Sequence, residues 1–391
     1  MTIFCAELAN SLDINLFDGS VQPCCKLDEV IQLSNDEISK LQHKVFDENA
    51  EILEIKKDLQ NNKQNNRCKN CWDAEEKNKI SWRLDKNKQY DKTVKHLNIQ
   101  FSNLCNHSCF YCLPKYSTTI ARHRDWVNPG TGEIETINKN LNNQILDKKL
   151  LINLVKSYTR NIKTLDLSFT GGEPFIANDF VDFMHELIDT FCSLDKTRKV
   201  IIGVSTNTNV QTRYLEQFYN TVNSLKQKYN IKVLIISSIE NIEDRAEYVR
   251  DGLVWSNFQN NFNIHYKNAD DISIRMTLNA FSVVKITDFF KYFSQYDTHI
   301  VYNYANQLFW RMDILDKTFC KELDSLQAYV EDKNLQRMFG HNPWYKTIKN
   351  SIRNDMANAK IFKNAITNID KIKNKNWRPI FPEYVDWFDN I

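Results

Sequence analysis

From about residue 95 onward, short apolar runs with a two-residue alternation trade places with longer amphipathic stretches, and this regularity narrows the possible folds more than any other feature. "KHLNIQFS" (95–102) places Leu97, Ile99 and Phe101 on one side, and "KTLDLSF" repeats the pattern with Leu165, Leu167 and Phe169. Further strands are expected at 199–205, 232–238, 271–277 and 299–305, each followed by room for a helix. In "FIANDFVDFMHELIDTF", Phe175, Ile176, Phe180, Val181, Phe183, Met184, Leu187 and Ile188 form a 3.6-residue stripe. Strands and helices in strict alternation imply a parallel sheet with right-handed crossovers, and six such units suggest an α/β barrel or partial barrel. Chemistry in that architecture sits on the loops that follow the strands.

Two of those loops are unusual. After the first strand comes "NLCNHSCFYCLPK", in which Cys105, Cys109 and Cys112 are set out as C-x3-C-x2-C. After the second comes "TGGEPFI", in which Gly171 and Gly172 let the backbone approach another group closely and Glu173 offers an acceptor for an ammonium group. Three thiolates leave a tetrahedral metal arrangement one donor short. His107, between the cysteines, could complete a structural zinc site, but it lies too close in sequence to close one comfortably, and zinc would leave the GGEP loop unexplained.

Composition supports neither a nucleic-acid nor a membrane partner. Lys plus Arg (51) nearly balance Asp plus Glu (49), so no strong field favours nucleic acid. No apolar run approaches the length of a membrane helix, and residues 1–17 lack the basic flank and apolar core of a secretory signal, so a soluble, cytoplasmic protein is expected. Eight of the ten cysteines fall within the first 112 residues at spacings typical of metal ligands, which in a reducing compartment favours metal over disulfides.

With the C-x3-C-x-aromatic-C loop and the GGEP loop in view, residues 95–305 resemble the radical S-adenosylmethionine (radical SAM) superfamily, whose fold is a partial (β/α)6 TIM-like barrel. The resemblance implies that Cys105, Cys109 and Cys112 hold three irons of a 4Fe-4S cluster and that the fourth iron is left for SAM. It implies that Tyr111 lies near the adenine, that Gly171, Gly172, Glu173 and Pro174 form a SAM-contacting loop, and that Glu173 receives the ammonium group. "VSTNTN" after the third strand matches the place of a T-N-G segment, offering Ser205 and Asn207, with Thr208 where the family has glycine. After the fourth strand, Ser238 is matched to a ribose contact and Arg250 to the SAM carboxylate, with a surface salt bridge as the other reading of Arg250. Glu240, where the family usually has Asp, is left unassigned.

Residues 1–94 carry their own cysteines: Cys5, then Cys24 and Cys25 in "DGSVQPCC", then Cys68 and Cys71 in "CKNCW". Leu12, Ile14 and Leu16 alternate ahead of Asp18-Gly19, which reads as a hairpin, and a charged helix is expected from Asp36 to about Leu59. This segment resembles the twitch domain, a shortened SPASM domain, although such modules more commonly follow the barrel. The resemblance implies an auxiliary iron-sulfur cluster of the 4Fe-4S type on Cys5, Cys24, Cys68 and Cys71. Cys24 and Cys25 are not separable from sequence, and four thiolates also suit zinc. Residues 306–391 read as a helical extension that packs as a lid, and "KIKNKNWR" within it as a solvated helix end. The insert at about 113–143 reads as a structureless loop available for substrate contact.

The activity implied is reductive cleavage of SAM to a 5'-deoxyadenosyl radical that abstracts hydrogen from a substrate, served by an electron donor such as flavodoxin or ferredoxin. The first expectation is oxidative modification of a peptide or protein side chain. Dehydrogenation or rearrangement of a small alcohol or sugar is the second, and a non-catalytic zinc or electron-transfer protein the third.

Overall fold

The computed structural model describes residues 3–34, 37, 49–77, 80–122, 146–159, 161–305, 307–339 and 344–391. Among them nine strands hydrogen-bond in the order β3-β2-β1-β4-β5-β6-β7-β8-β9, giving a mixed α/β fold with a mostly parallel sheet. The strands are β1 (Ser11–Asn15), β2 (Ser20–Gln22), β3 (Ile31–Gln32), β4 (Val94–Ser102), β5 (Thr164–Gly171), β6 (Lys199–Thr206), β7 (Asn230–Ser238), β8 (Asp271–Leu278) and β9 (His299–Tyr304). All six strands expected after residue 94 are present. The chain divides into two compact units, one of Met1–Leu104, Lys139–Ser205 and Arg213–Leu234, the other of Cys105–Asn138, Thr206–Thr212 and Ile235–Ile391.

In the first unit β4, β5 and β6 run parallel, and their apolar alternation buries Leu97, Ile99, Phe101, Leu165, Leu167 and Phe169. The helix Phe180–Ser193 packs on that face, with Phe180 edge-on to Phe101 and Phe169 at ring-centroid distances of 5.4 and 5.0 Å. The helix begins later than the periodicity suggests. Phe175 and Ile176 lie in a 3-10 turn, Pro174–Ile176, which the extended backbone of Ala177 (φ −78°, ψ 117°) separates from the helix, and Phe175 still reaches the aromatic cluster.

The expected hairpin forms between β1 and β2, with Gly19 at φ 72° in the turn and Asp18 accepting from the Ser20 N–H. Its first strand does something the sequence reading did not foresee. β1 pairs in parallel with β4 from Ser11↔His96 to Asn15↔Gln100, so Leu12 and Ile14 extend the buried row of Leu97 and Ile99. The expected charged helix is found as Ala50–Gln60, capped by Asn49, whereas residues 38–48 lie outside the described residues.

In the second unit β8 and β9 pair in parallel from Ser273↔His299 to Leu278↔Tyr304. The C-terminal segment folds against the loops that follow these strands. Phe281, just past β8, stacks on Phe381 at 4.3 Å and meets Tyr384 at 5.3 Å, while Tyr384 Oη donates to the Ala280 carbonyl. No helix among the described residues is long and apolar enough to cross a membrane.

Candidate functional site

The cysteine loop belongs to the second unit, and its shape is imposed by the segment after the helix Glu243–Val249. Ser108 N–H donates to the Asp251 carbonyl (2.8 Å) and Phe110 N–H to the Val249 carbonyl (3.3 Å). Gly252, at φ 99°, lies so close that a Cβ there would stand 2.7 Å from the Asn106 carbonyl oxygen, a contact no side chain tolerates. Asn209 joins the layer by donating to the Gly252 carbonyl (2.9 Å) and pairing with His107 Nε2 (3.0 Å). His107 is thus buried in a hydrogen-bonded layer instead of standing as a fourth ligand, and burial with the Arg250 charge holds its pKa down to about 3.

The loop's other flank is the start of the insert read as structureless. Residues 114–121 instead form a 3-10 turn, Pro114–Tyr116, and a short helix, Thr118–Ala121. Thr118 Oγ1 accepts from Cys105 N–H (3.3 Å) and Thr119 Oγ1 donates to the Cys105 carbonyl (2.5 Å), so this turn fixes the first cysteine. Residues 123–145 of that insert lie outside the described residues.

Cys109 is buried, and Cys105 and Cys112 are half-buried. Burial raises the Cys109 thiol and pushes Cys112 up to about 12, so neither ionises unaided at neutral pH. A cationic metal centre removes that penalty by taking the thiolate directly, which is how this donor set fits an iron-sulfur group.

Around the loop the second unit gathers Tyr111, Asn207 and Arg250. Arg250 is buried, contrary to the surface-salt-bridge reading, and its Nε donates to Glu240 Oε2 at 2.8 Å. Burial raises the Glu240 carboxyl despite the opposing guanidinium, and the guanidinium lies 5.8 Å from the Tyr111 ring centroid. Asn207 Nδ2 donates to Asn106 Oδ1 (2.7 Å), tying the loop after β6 to the cysteine loop. Ser238, the last residue of β7, is half-buried.

Thr208, standing where glycine was expected, has φ 60° and so keeps the backbone conformation that glycine would supply. Three hydrogen bonds hold it there: Thr208 N–H to Thr206 Oγ1 (2.9 Å), Thr208 Oγ1 with Ser237 Oγ (2.7 Å), and Asn261 Nδ2 to the Thr208 carbonyl (3.1 Å).

The GGEP loop belongs to the first unit. What its glycines approach is the chain's own backbone: a Cβ on Gly171 would meet the Ser102 carbonyl oxygen at 2.3 Å, and one on Gly172 the Leu104 carbonyl oxygen at 2.1 Å. Gly172 and Glu173 N–H groups donate to those same carbonyls, pinning the end of β4. Glu173 is fully buried, and its Oε1 accepts from Phe175 N–H (3.2 Å) ahead of Pro174. Ser205 is half-buried near the end of β6.

Also within the first unit, Cys5, Cys24, Cys68 and Cys71 line one small apolar cavity with Trp72, Trp82 and Arg83. Cys25 is exposed and does not line it. Burial raises the Cys5 thiol and pushes Cys68 up to about 12. Among the described residues no three His, Cys, Asp or Glu side chains converge as they would around a single metal ion.

Residues that shape the site and to which the sequence reading gave no role are Glu240, named there but left unassigned, which holds Arg250, Gly252 and Asn209, which shape the cysteine loop, and Lys373. Lys373 Nζ donates to the Ser108 carbonyl (2.7 Å) and pairs with Asp251 Oδ2 (2.8 Å), and Lys375 pairs with Asp251 Oδ1 (2.6 Å). The "KIKNKNWR" run is a helix end with Lys371, Ile372, Asn374 and Asn376 exposed, as expected, but its Lys373 and Lys375 clasp the cysteine loop. Only the positive φ of Gly252 had a visible signal, a glycine in a chain that has eight.

The class that these features define is a mixed α/β protein with two cysteine-rich donor sets. No family model and no curated protein matches the chain. A solved structure of a histidine-tagged protein, described as "anSMEcpe with bound AdoMet", is similar, with a TM-score of 0.45 and 16% identity over 63% of this chain and 62% of that one.

Proposed function

We propose that this chain is a radical SAM enzyme in which Cys105, Cys109 and Cys112 hold a 4Fe-4S cluster and β4–β9 form a partial barrel. The observation that carries the reading is the C-x3-C-x2-C loop after β4, clamped by Gly252 and Asp251, with its second thiol buried and its third pushed up to about 12 by burial. When bound, such a cluster supplies one electron that cleaves the sulfonium of SAM into methionine and a 5'-deoxyadenosyl radical, which abstracts hydrogen from substrate.

The chain's own residues orient and shield. Glu240 fixes one edge of the Arg250 guanidinium, pre-orienting the rest of it for a carboxylate. Tyr111, Asn207 and Ser238 are the candidate contacts for the nucleoside part of SAM, and Gly171, Gly172, Glu173, Pro174 and Ser205 remain candidates from the motif. Cys5, Cys24, Cys68 and Cys71 are the proposed ligands of an auxiliary cluster, the reading that a twitch-like module supports. Flavodoxin or ferredoxin is the proposed class of electron donor, and cytoplasm the proposed compartment.

The reaction is an oxidation or rearrangement begun at a substrate C–H bond. A peptide or protein side chain and a small alcohol or sugar are the two substrate classes. Anaerobic reconstitution tests the whole: about eight irons per chain are expected for two clusters. Replacing Cys105, Cys109 or Cys112 should remove about half of that iron, whereas stoichiometric zinc without iron would contradict the reading.

A further inference from the structure

The parallel strands of the first unit have one apolar face and one polar face, which neither ordinary arrangement of a parallel sheet requires. A sheet covered by helices on both sides is apolar on both, and a barrel without a ligand fills its interior with bulky branched side chains. Here the apolar face carries the rows Leu12–Leu97–Leu167–Ile202 and Ile14–Ile99–Phe169–Val204, beneath the helix Phe180–Ser193. The opposite face carries Ser11–His96–Asp166–Ile201, Asp13–Asn98–Ser168–Gly203 and Asn15–Gln100–Thr170, so Ile201 is the single bulky apolar side chain in three rows.

Some of this polarity is satisfied internally. His96 Nδ1 meets Asp166 Oδ2 at 3.0 Å, Thr170 Oγ1 donates to Asn98 Oδ1 at 3.3 Å, and Asn15 Oδ1 accepts from Phe17 N–H. Some is not. Ser11 Oγ, on a side chain only 8% exposed, and Gln100 Oε1 are buried and have no partner among the described residues, a costly state that a ligand's hydrogen-bonding groups would relieve. Gly203 adds no side chain to its row, where a Cβ would stand 3.0 Å from Ser168 Oγ.

From this grid we infer that the polar face of β1, β4 and β5 binds a small, neutral, hydroxyl-rich molecule of the polyol or sugar class, held by Asp13, Asn98, Gln100, Ser168 and Thr170. The donors and acceptors are carboxylate, amide and hydroxyl groups, the set that matches vicinal hydroxyls. Two carboxylates opposed by one imidazole disfavour an anionic ligand, and among the described residues of these rows Ile201 alone offers a hydrophobic peptide side chain an apolar surface to bury against. The inference deepens the proposed function by naming the substrate class, and it rests on that reading only for what happens to the bound molecule.

The test is binding to the full-length, anaerobically reconstituted protein, measured by saturation-transfer NMR and calorimetry with ribitol and D-glucose as probes and an Ala-Val-Leu tripeptide as counter-probe. At least one polyol should bind, the tripeptide should not, and Gln100→Leu and Thr170→Val should each weaken polyol binding about tenfold or more. Thr170→Val keeps the side chain's shape and decides the matter alone if Gln100→Leu fails to fold. Binding of the tripeptide in place of the polyols, binding of no probe, or polyol binding unmoved by Thr170→Val overturns the inference. SAM cleavage is assayed separately on the same material. Cleavage without polyol binding sinks this inference alone, and polyol binding without cleavage sinks the radical reading alone.

Discussion

Lys373, at the end of the helix Met356–Lys373, places its ammonium 2.8 Å from Asp251 Oδ2 and 2.7 Å from the Ser108 carbonyl, one residue before Cys109. A residue far along the chain therefore holds the cysteine loop in place. Burial alone would raise the Asp251 carboxyl, yet hydrogen bonds from Lys373, Lys375 and Ser108 outweigh it and hold the group well below the usual carboxylate range. Lys373→Met should lower iron retention by the loop and cost about 1–3 kcal/mol, because it leaves a half-buried carboxylate short of one partner. Iron content after gel filtration, against Lys375→Met and the wild type, checks it.

Gly252→Ala should be among the most damaging single-methyl additions in the chain. Its φ of 99° and the 2.7 Å approach to the Asn106 carbonyl both oppose a Cβ, and the neighbour is backbone that cannot move aside without shifting Cys105 and Cys109. The expected loss is about 2 kcal/mol or more, with the cysteine loop's iron lost first. Thermal melts with parallel iron determination measure both.

Thr208 separates strain from hydrogen bonding. Thr208→Gly relieves a β-branched residue at φ 60° but loses the Ser237 bond, so stability should stay within about 1 kcal/mol of wild type. Thr208→Val keeps the strain and strands the Ser237 hydroxyl, and should cost about 1–3 kcal/mol. Denaturant unfolding that ranks Val above Gly would show that the backbone there is not strained.

The buried Glu240–Arg250 pair should behave as a unit. Arg250→Met leaves Glu240, only 1% exposed, as an unpaired buried carboxylate, and about 3–5 kcal/mol is expected. Adding Glu240→Gln should recover much of that loss, which a double-mutant cycle reads directly.

Acid should destabilise the fold through His265. Burial lowers its pKa from 6.5 to about 3, so between those values the unfolded chain binds a proton that the folded chain does not. Stability contributed by the neutral ring is intact above pH 6.5 and falls by about 1.4 kcal/mol per unit as pH drops toward 3. Asp13 works in the opposite sense: burial raises its carboxyl to about 6, so its contribution is full below 3.8 and fades as pH rises through 6. Between about pH 4 and 6 the two slopes oppose and nearly cancel, so stability there should fall with rising pH in His265→Phe and rise with it in Asp13→Asn.

The six strands after residue 94 were legible because each alternates with period two, and period-two burial is what a sheet face imposes. The parallel pairing of β1 with β4 was not, because a strand's alternation names its buried face without naming its neighbour. The cysteine loop and its position after β4 could be read from spacing alone. Its clamps could not: Asp251, Asn209 and Lys373 are ordinary polar residues in sequence and gain meaning only by long-range contact with residues 106–108. The polar rows of β4 and β5 were present in "KHLNIQFS" as His96, Asn98 and Gln100, but only the register showed that they stack against Asp166, Ser168 and Thr170.

The central claim is that three cysteines hold a cluster that delivers an electron to SAM. The most direct measurement is anaerobic incubation of reconstituted protein with SAM and dithionite, following 5'-deoxyadenosine and methionine by chromatography. Both products should form in equal amounts with the wild type and vanish with Cys105→Ala, Cys109→Ala or Cys112→Ala. Intact SAM in the presence of a reduced cluster, or product formation that survives those three substitutions, would contradict the account.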